Sequence, residues 1–340
     1  MKKLIIYILI STTVFSTMEV VLKVAAGQLD AFQLTLIRFA IGGLFLFPFA
    51  LAEIKKYNTI ITKKDMLHML AMGVVCICLS MVFFQLGVEN AKASTAAVIF
   101  CINPLFTMLF VHFMTDEKLN PIKLAALAFG LLGIVFMINP ANMEQGNSPI
   151  GVLYTILAAL TFGLYSAMGK TSVRRLRALT QTSISFLLGS AVLAPVLLIM
   201  RRPVLSGISP ENIWQVLYIG IMVTGAGYLF YFLAMDESDA ATASIVFFIK
   251  PALAPIFAVI VLQETIGLNG IIGILLIFIG SYINLREQKK KKEAVKEGLD
   301  RETGRLDRKP VRLAQEPGEL EREPVRLREG GSDDEEINHQ

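Results

Sequence analysis

The stretch Phe247-Phe248-Ile249-Lys250-Pro251-Ala252-Leu253-Ala254-Pro255 places a charge and two helix-breaking residues inside an apolar run from about Ala240 to Leu262. A run of that length spans a bilayer. Lys250 then lies about ten residues in, roughly 15 Å at the helical rise and near the midplane. An ionisable group at that depth is costly and marks a substrate or ion path. Pro251 and Pro255 each lack an N–H, which frees the carbonyls of Phe247 and Pro251 four residues earlier. Freed carbonyls persist in a membrane only where protein or a watery cavity satisfies them. The stretch therefore reads as the wall of a polar cavity enclosed by the other spans.

The composition agrees: 54% hydrophobic residues, a mean hydropathy of +0.60 and 18% charged residues describe a chain mostly dissolved in lipid. The charges gather in short loops and in the tail after Arg286, so the net charge of +4 reflects orientation signals and gives no indication of nucleic acid. Cys76, Cys78 and Cys101 all fall in apolar runs, where they serve as small core hydrophobes rather than disulfide or zinc ligands. No catalytic residue, cofactor or metal is expected.

Apolar spans are predicted from the N-terminus to about Ala26 and near 32–52, 67–88, 93–114, 120–139, 150–170, 180–200, 213–234, 240–262 and 268–285. No small-x-small site closes the first run, which reads as a retained helix rather than a secretory signal. With the N-terminus cytoplasmic, the inner loops carry Lys55, Lys56, Lys63, Lys64, Lys118, Lys123, Lys170, Arg174, Arg175, Arg177 and Lys289 to Lys292, against Lys92, Arg201 and Arg202 outside. The bias follows the positive-inside rule and places both termini in the cytoplasm. The inner loop Asp236-Glu237-Ser238-Asp239 is an exception without a base.

Internal repetition is the strongest signal. A shift of 147 positions brings Tyr7 onto Tyr154, Phe15 onto Phe162, Lys23 onto Lys170, Gly42 onto Gly189 and Pro48 onto Pro195. Without a gap, it also pairs Gly73 with Gly220, Phe100 with Phe247, Pro104 with Pro251, Glu117 with Glu264 and Gly133 with Gly280. Five spans per repeat is an odd number, so the second copy enters the membrane upside down. The expected fold is an all-α membrane protein of ten transmembrane helices in two inverted five-helix repeats, 1–147 and 148–286, with a charged cytoplasmic tail at 287–340. Inverted repeats with broken helices are the architecture of secondary transporters, whose site lies at the repeat interface.

The ten spans in two halves, Phe15 and Lys23 in the first, Arg38 early in the second, and Pro104, Glu117 and Gly133 with their copies Pro251, Glu264 and Gly280 resemble the EamA-type drug/metabolite transporters. The resemblance covers about residues 4–285 and implies an inner-membrane carrier of small metabolites, often an exporter. Single-repeat multidrug relatives carry a proton-coupling Glu two turns before the first-helix lysine, where this chain has Phe15 and Phe162. Many members also have a polar or acidic residue before the ninth-helix proline, where this chain has Lys250.

Depth places Asn103 level with Lys250, so Asn103-Pro104 and Lys250-Pro251 are expected to face one another with Phe100 and Phe247 one turn earlier. Asn103 either caps freed carbonyls or contacts substrate. Pro104, Pro251 and Pro255 are the candidate hinges. Glu19, Lys23 and Arg38 form a second group: Glu19 and Lys23 share a helical face, and Arg38 enters the next helix at a similar depth. They read as a structural ion pair or as a gate in which Glu19 accepts a proton and releases Arg38. His68 and His112 lie near helix ends, and Phe83, Phe84, Tyr228, Phe230, Tyr231 and Phe232 read as packing and lipid contact or as a cavity lining. Lys289 to Lys292 would lie against anionic headgroups. The expected partners are the bilayer and a small anionic or zwitterionic metabolite of the amino-acid or organic-acid class, with proton coupling left open. The alternative is a membrane enzyme or flippase acting on a lipid. Lys250→Ala is expected to abolish transport and leave the fold intact.

Overall fold

The computed structural model describes residues 2–115, 120–139, 145–237 and 245–306. Glu117, Lys118, Ser238, Asp239, part of the 142–148 loop and the tail beyond 306 lie outside them. Among the described residues, eight helices are long and apolar enough to cross a membrane: α1 (Lys3–Ala26), α2 (Ala31–Tyr57), α3 (Lys63–Asn90), α4 (Ala93–Met114), α6 (Pro149–Ser172), α7 (Ala178–Ile199), α8 (Ile213–Met235) and α10 (Leu268–Glu287). Two further apolar helices, α5 (Pro121–Ile138) and α9 (Ile245–Leu262), fall in the expected places. One compact unit runs from Met1 to Glu293; a second begins at Ala294 and is helical to Leu306.

Several helices depart from regular geometry, each with a local cause. In α1 the helix is interrupted at Thr17, whose Oγ1 donates back to the Val14 carbonyl at 2.8 Å and meets the Tyr218 hydroxyl at 2.7 Å. Such back-bonding bends helices. In α4 the interruption falls at Cys101–Ile102, immediately before the segment Asn103–Met114 restarts with proline at its first turn. Proline suits a helix start because its missing N–H has no partner there anyway. π-helical segments replace the α geometry at Val74–Met81 in α3 and Tyr218–Gly227 in α8, at nearly equivalent places in the two halves. The expectation of matching breaks at both prolines fails in α9, which is continuous through Pro251 and Pro255. Each proline there removes one helical bond while the remaining turns and the packing keep the helix continuous.

The packing repeats with the same offset of 147 seen in the sequence. Phe15 lies 5.7 Å from Phe247 and Phe100 lies 5.2 Å from Phe162, which is the same contact with the halves exchanged. Tyr7–Phe230 mirrors Phe83–Tyr154, and Phe84–Phe100 mirrors Tyr231–Phe247. Phe39 and Phe186, themselves equivalent, meet edge to face at 4.7 Å. Around them α2 and α7 run antiparallel. At one end Gln33 donates to the carbonyls of Val204 and Ser206, and Arg202 pairs with Asp30 at 2.6 Å; at the other, Glu53 accepts from Thr180 N, Thr180 Oγ1 and Arg177. Gly73 and Gly189 allow their backbones to touch, so any side chain at either would collide with the other helix.

The loops sort to two ends of the bundle. One end gathers the α1–α2, α3–α4, α5–α6, α7–α8 and α9–α10 connections: Lys92 N donates to Asn147 Oδ1, Lys92 Nζ to the Thr265 carbonyl, and Glu264 caps α4 by accepting from Ala93 N at 2.6 Å and Ser94 N at 3.0 Å. The other end gathers the α2–α3 and α6–α7 connections, where Arg175 pairs with Asp65, Arg177 with Glu53, and His68 meets the Met168 carbonyl.

Candidate functional site

The site is built where α1, α2, α4 and α9 meet. Lys250, projected from α9 one residue before Pro251, extends its Nζ to 2.6 Å from Glu19 Oε1 on α1. Lys250 is 3% exposed and Glu19 is fully buried, so each charge depends on the other for compensation. The ammonium also lies 5.7 Å from the centroid of the Phe100 ring, a cation–π contact that ties the pair to α4.

Arg38 is fully buried on α2. Its terminal nitrogens rest on Met18 Sδ at 3.7 Å and Met81 Sδ at 3.4 Å, and its guanidinium lies 4.7 Å from the Phe39 ring. Thioether sulfurs are weak acceptors. The Arg38 Nε has no hydrogen-bond partner among the described residues, and the same is true of Glu19 Oε2 and of the buried Thr12 and Ser16 hydroxyls on α1. Rings of Phe15, Phe247, Tyr228 and Tyr231 surround this cluster, with Phe15 5.1 Å from Tyr228 and Tyr231 5.1 Å from Phe247.

The predicted site residues divide among several roles. Asn103 does not meet Lys250; its Nδ2 donates to the Phe100 carbonyl at 2.8 Å, the very group that Pro104 frees four residues on. That is the capping alternative. The expected pairing of Glu19 with Lys23 or Arg38 is replaced by the pairing with Lys250, and among the described residues no ion pair joins Glu19 to Lys23 or Arg38. Lys23 instead donates to the carbonyls of Val88, Glu89 and Ala91 at 2.8, 3.0 and 2.6 Å. These close the C-terminal end of α3, where carbonyls lack helical partners and a cation is favoured. Of the aromatic group, Phe84, Tyr228 and Tyr231 pack inward on the site's rings rather than outward. The His112 ring lies tilted beside Phe113, and His68 meets the Met168 carbonyl near the end of α6. The three cysteines are free thiols, and among the described residues no group of three or more His, Cys, Asp or Glu is placed to hold a metal.

Thr12, Ser16, Met18 and Met81 do not stand out in the sequence. Thr12 and Ser16 precede Glu19 by seven and three residues, a spacing that shares its helical face and was the available signal. The two methionines gave none, because a methionine beside an arginine in the fold is one of many apolar residues in the sequence.

Residues 2–139 and 149–286 each match the EamA-like transporter family, two segments related by the same offset of 147. The chain belongs to the EamA-like transporter family. Family membership and the apolar helices make it a multi-pass membrane protein of a transporter family. An uncharacterized transporter of Clostridium kluyveri is 38% identical over 296 residues, covering 85% of this chain and 95% of the relative. An S-adenosylmethionine uptake transporter of Rickettsia conorii is 27% identical over 240 residues, covering 70% and 76%. A solved crystal structure superposes with a TM-score of 0.59 at 19% identity over 83% of this chain and 96% of the other, a likeness of fold.

Proposed function

We propose that this EamA-family protein is a secondary transporter that moves a small anionic or zwitterionic metabolite across the inner membrane by alternating access. In this reading the ten apolar helices form two inverted five-helix repeats, both termini are cytoplasmic, and the residues after 286 form a cytoplasmic tail. The observation that carries it is the buried Glu19–Lys250 pair, because it joins α1 of the first half to α9 of the second at 2.6 Å. The exchanged aromatic contacts and the antiparallel α2 and α7 support the inverted arrangement.

A tie between the halves at the depth of the bilayer centre is a natural gate. When Glu19 accepts a proton, the pair opens and the halves are released to rock. The ionisable groups facing Glu19 are Lys250 from α9, Arg38 from α2 and Cys101 from α4. Two cations and one acid favour an anionic or zwitterionic solute over a lipophilic cation. The Rickettsia relative described as an S-adenosylmethionine uptake transporter places an amino-acid-bearing molecule in the first set of solutes to try. Alternating access is reversible, so the gradients decide between export, which the resemblance implies, and uptake.

The test is counterflow in vesicles holding the full chain, using labelled amino acids, organic acids, S-adenosylmethionine and a quaternary ammonium dye. Flux of an acid or zwitterion in wild type, lost in Lys250→Ala, is expected. Flux of the dye alone, undiminished in Lys250→Ala, would sink the reading. Across external pH, wild-type flux should vary with the protonation of Glu19, whereas Glu19→Gln should flatten the profile; an unchanged profile removes Glu19 from the gate.

A further inference from the structure

Two fully buried charged groups are only partly satisfied. Glu19 turns Oε1 to Lys250, but its Oε2 has no hydrogen-bond partner among the described residues. Arg38 leans on two methionine sulfurs, and its Nε is unpartnered. Buried polar atoms are nearly always satisfied, so each exception needs an account. The two belong to neighbouring turns of adjacent helices: Arg38 rests against Met18, the residue before Glu19. Glu19 and Lys250 cancel, and among the described residues no carboxylate pairs with Arg38.

Resting on the carrier reading, we propose that Glu19 and Arg38 form a two-point clamp for the head group of an α-amino acid, with the ammonium on Glu19 Oε2 and the carboxylate on Arg38. An α-amino acid carries both groups on one carbon, which matches an acid and a base at one level of adjacent helices. The guanidinium fork suits a carboxylate, and a carboxylate is a far stronger acceptor than the sulfurs it would displace. Lys250 serves as the positioning residue that holds Oε1 and keeps Oε2 available. The unpartnered hydroxyls of Thr12 and Ser16 continue the polar face along α1, and Phe15, Phe247 and Tyr228 provide an apolar wall for the side chain.

The full chain in lipid nanodiscs would be melted in the presence of three pools: the common L-α-amino acids, their α-carboxamides, and the matching carboxylic acids without the amine. A ligand that binds only the folded state raises its melting temperature. Only the first pool should do so, since losing either charged contact should weaken binding by about tenfold to a hundredfold. Arg38→Gln should erase the preference for acids over amides, Arg38→Lys should keep part of it, and Glu19→Gln should erase the preference for amino acids over deaminated acids. Equal stabilisation of wild type by amides or by deaminated acids overturns the clamp, as does stabilisation by no pool. These wild-type readings hold even if a variant fails to fold. Solute flux in vesicles without stabilisation by amino acids would end the clamp and spare the carrier; stabilisation without flux would do the reverse.

Discussion

Lys250 and Asn103 occupy equivalent positions, each immediately before a proline, and they do different work. Asn103 turns back to the carbonyl that Pro104 frees, whereas Lys250 reaches across to Glu19. The partners are equally unsymmetrical: Glu19 and Arg38 have Ser166 and Ser185 as their counterparts 147 residues on. The scaffold repeats and the buried charges do not, which is what a single site between two similar halves requires. A paired Lys250 changes the expectation for its removal. Lys250→Ala leaves the Glu19 carboxylate buried without its cation, at a cost of about 3–5 kcal/mol, and the double variant Glu19→Gln with Lys250→Met should recover most of that. Thermal melts of the three proteins check this, and a Lys250→Ala protein as stable as wild type would show that the pair is not coupled. The sequence disclosed each of these charges as ionisable groups inside apolar runs. It did not disclose their partners: Lys23 shares a face with Glu19, yet its long side chain reaches the unpaired end of α3, whose position in space no spacing encodes.

At the scale of the helix, the prolines were legible as punctuation, but their consequences were not. Pro104 falls where α4 restarts, and Pro251 and Pro255 lie inside an unbroken α9. The missing N–H is the same in all three; what differs is whether a neighbouring side chain and the tertiary packing make an interruption worthwhile. Because Asn103 satisfies the carbonyl that Pro104 frees, the two residues should be coupled. Asn103→Ala alone should cost about 1 kcal/mol, and much less on a Pro104→Ala background, where the Phe100 carbonyl regains a backbone N–H. Additive losses in a double-mutant cycle would separate them. Gly73 and Gly189 were visible in the sequence as members of repeat pairs, and the structure shows why they are glycine: each faces the other's backbone. Gly189→Ala should force α3 and α7 apart and lower stability by about 1–3 kcal/mol, measurable by thermal melting in detergent. A neutral effect would mean that the helices separate at no cost. Neither π segment was foreseen, since a single inserted residue per turn leaves the apolar pattern almost unchanged.

For the whole molecule, the arrangement of loops turns the proposed topology into a labelling experiment. The α2–α3 and α6–α7 connections share one end, rich in lysine and arginine, and the α1–α2 and α7–α8 connections share the other. Basic loops stay in the cytoplasm, so the first end should face inward. Ile60, 80% exposed in the α2–α3 loop, and Leu205, 68% exposed in the α7–α8 loop, are suited to carry a reporter thiol, together with the exposed Gln145 before α6. Cys76 and Cys101 are buried and Cys78 is partly so, which makes their replacement a precaution against background. An impermeant maleimide applied to intact cells should label Leu205→Cys and Gln145→Cys, and should reach Ile60→Cys only after the membrane is opened. α2 and α7 are equivalent helices that pack antiparallel, so if both cross the bilayer the two halves must enter it in opposite senses. Labelling of Ile60→Cys and Leu205→Cys from the same side would mean that one of the two helices does not cross, and the inverted ten-helix carrier would have to be abandoned along with the gate built on it.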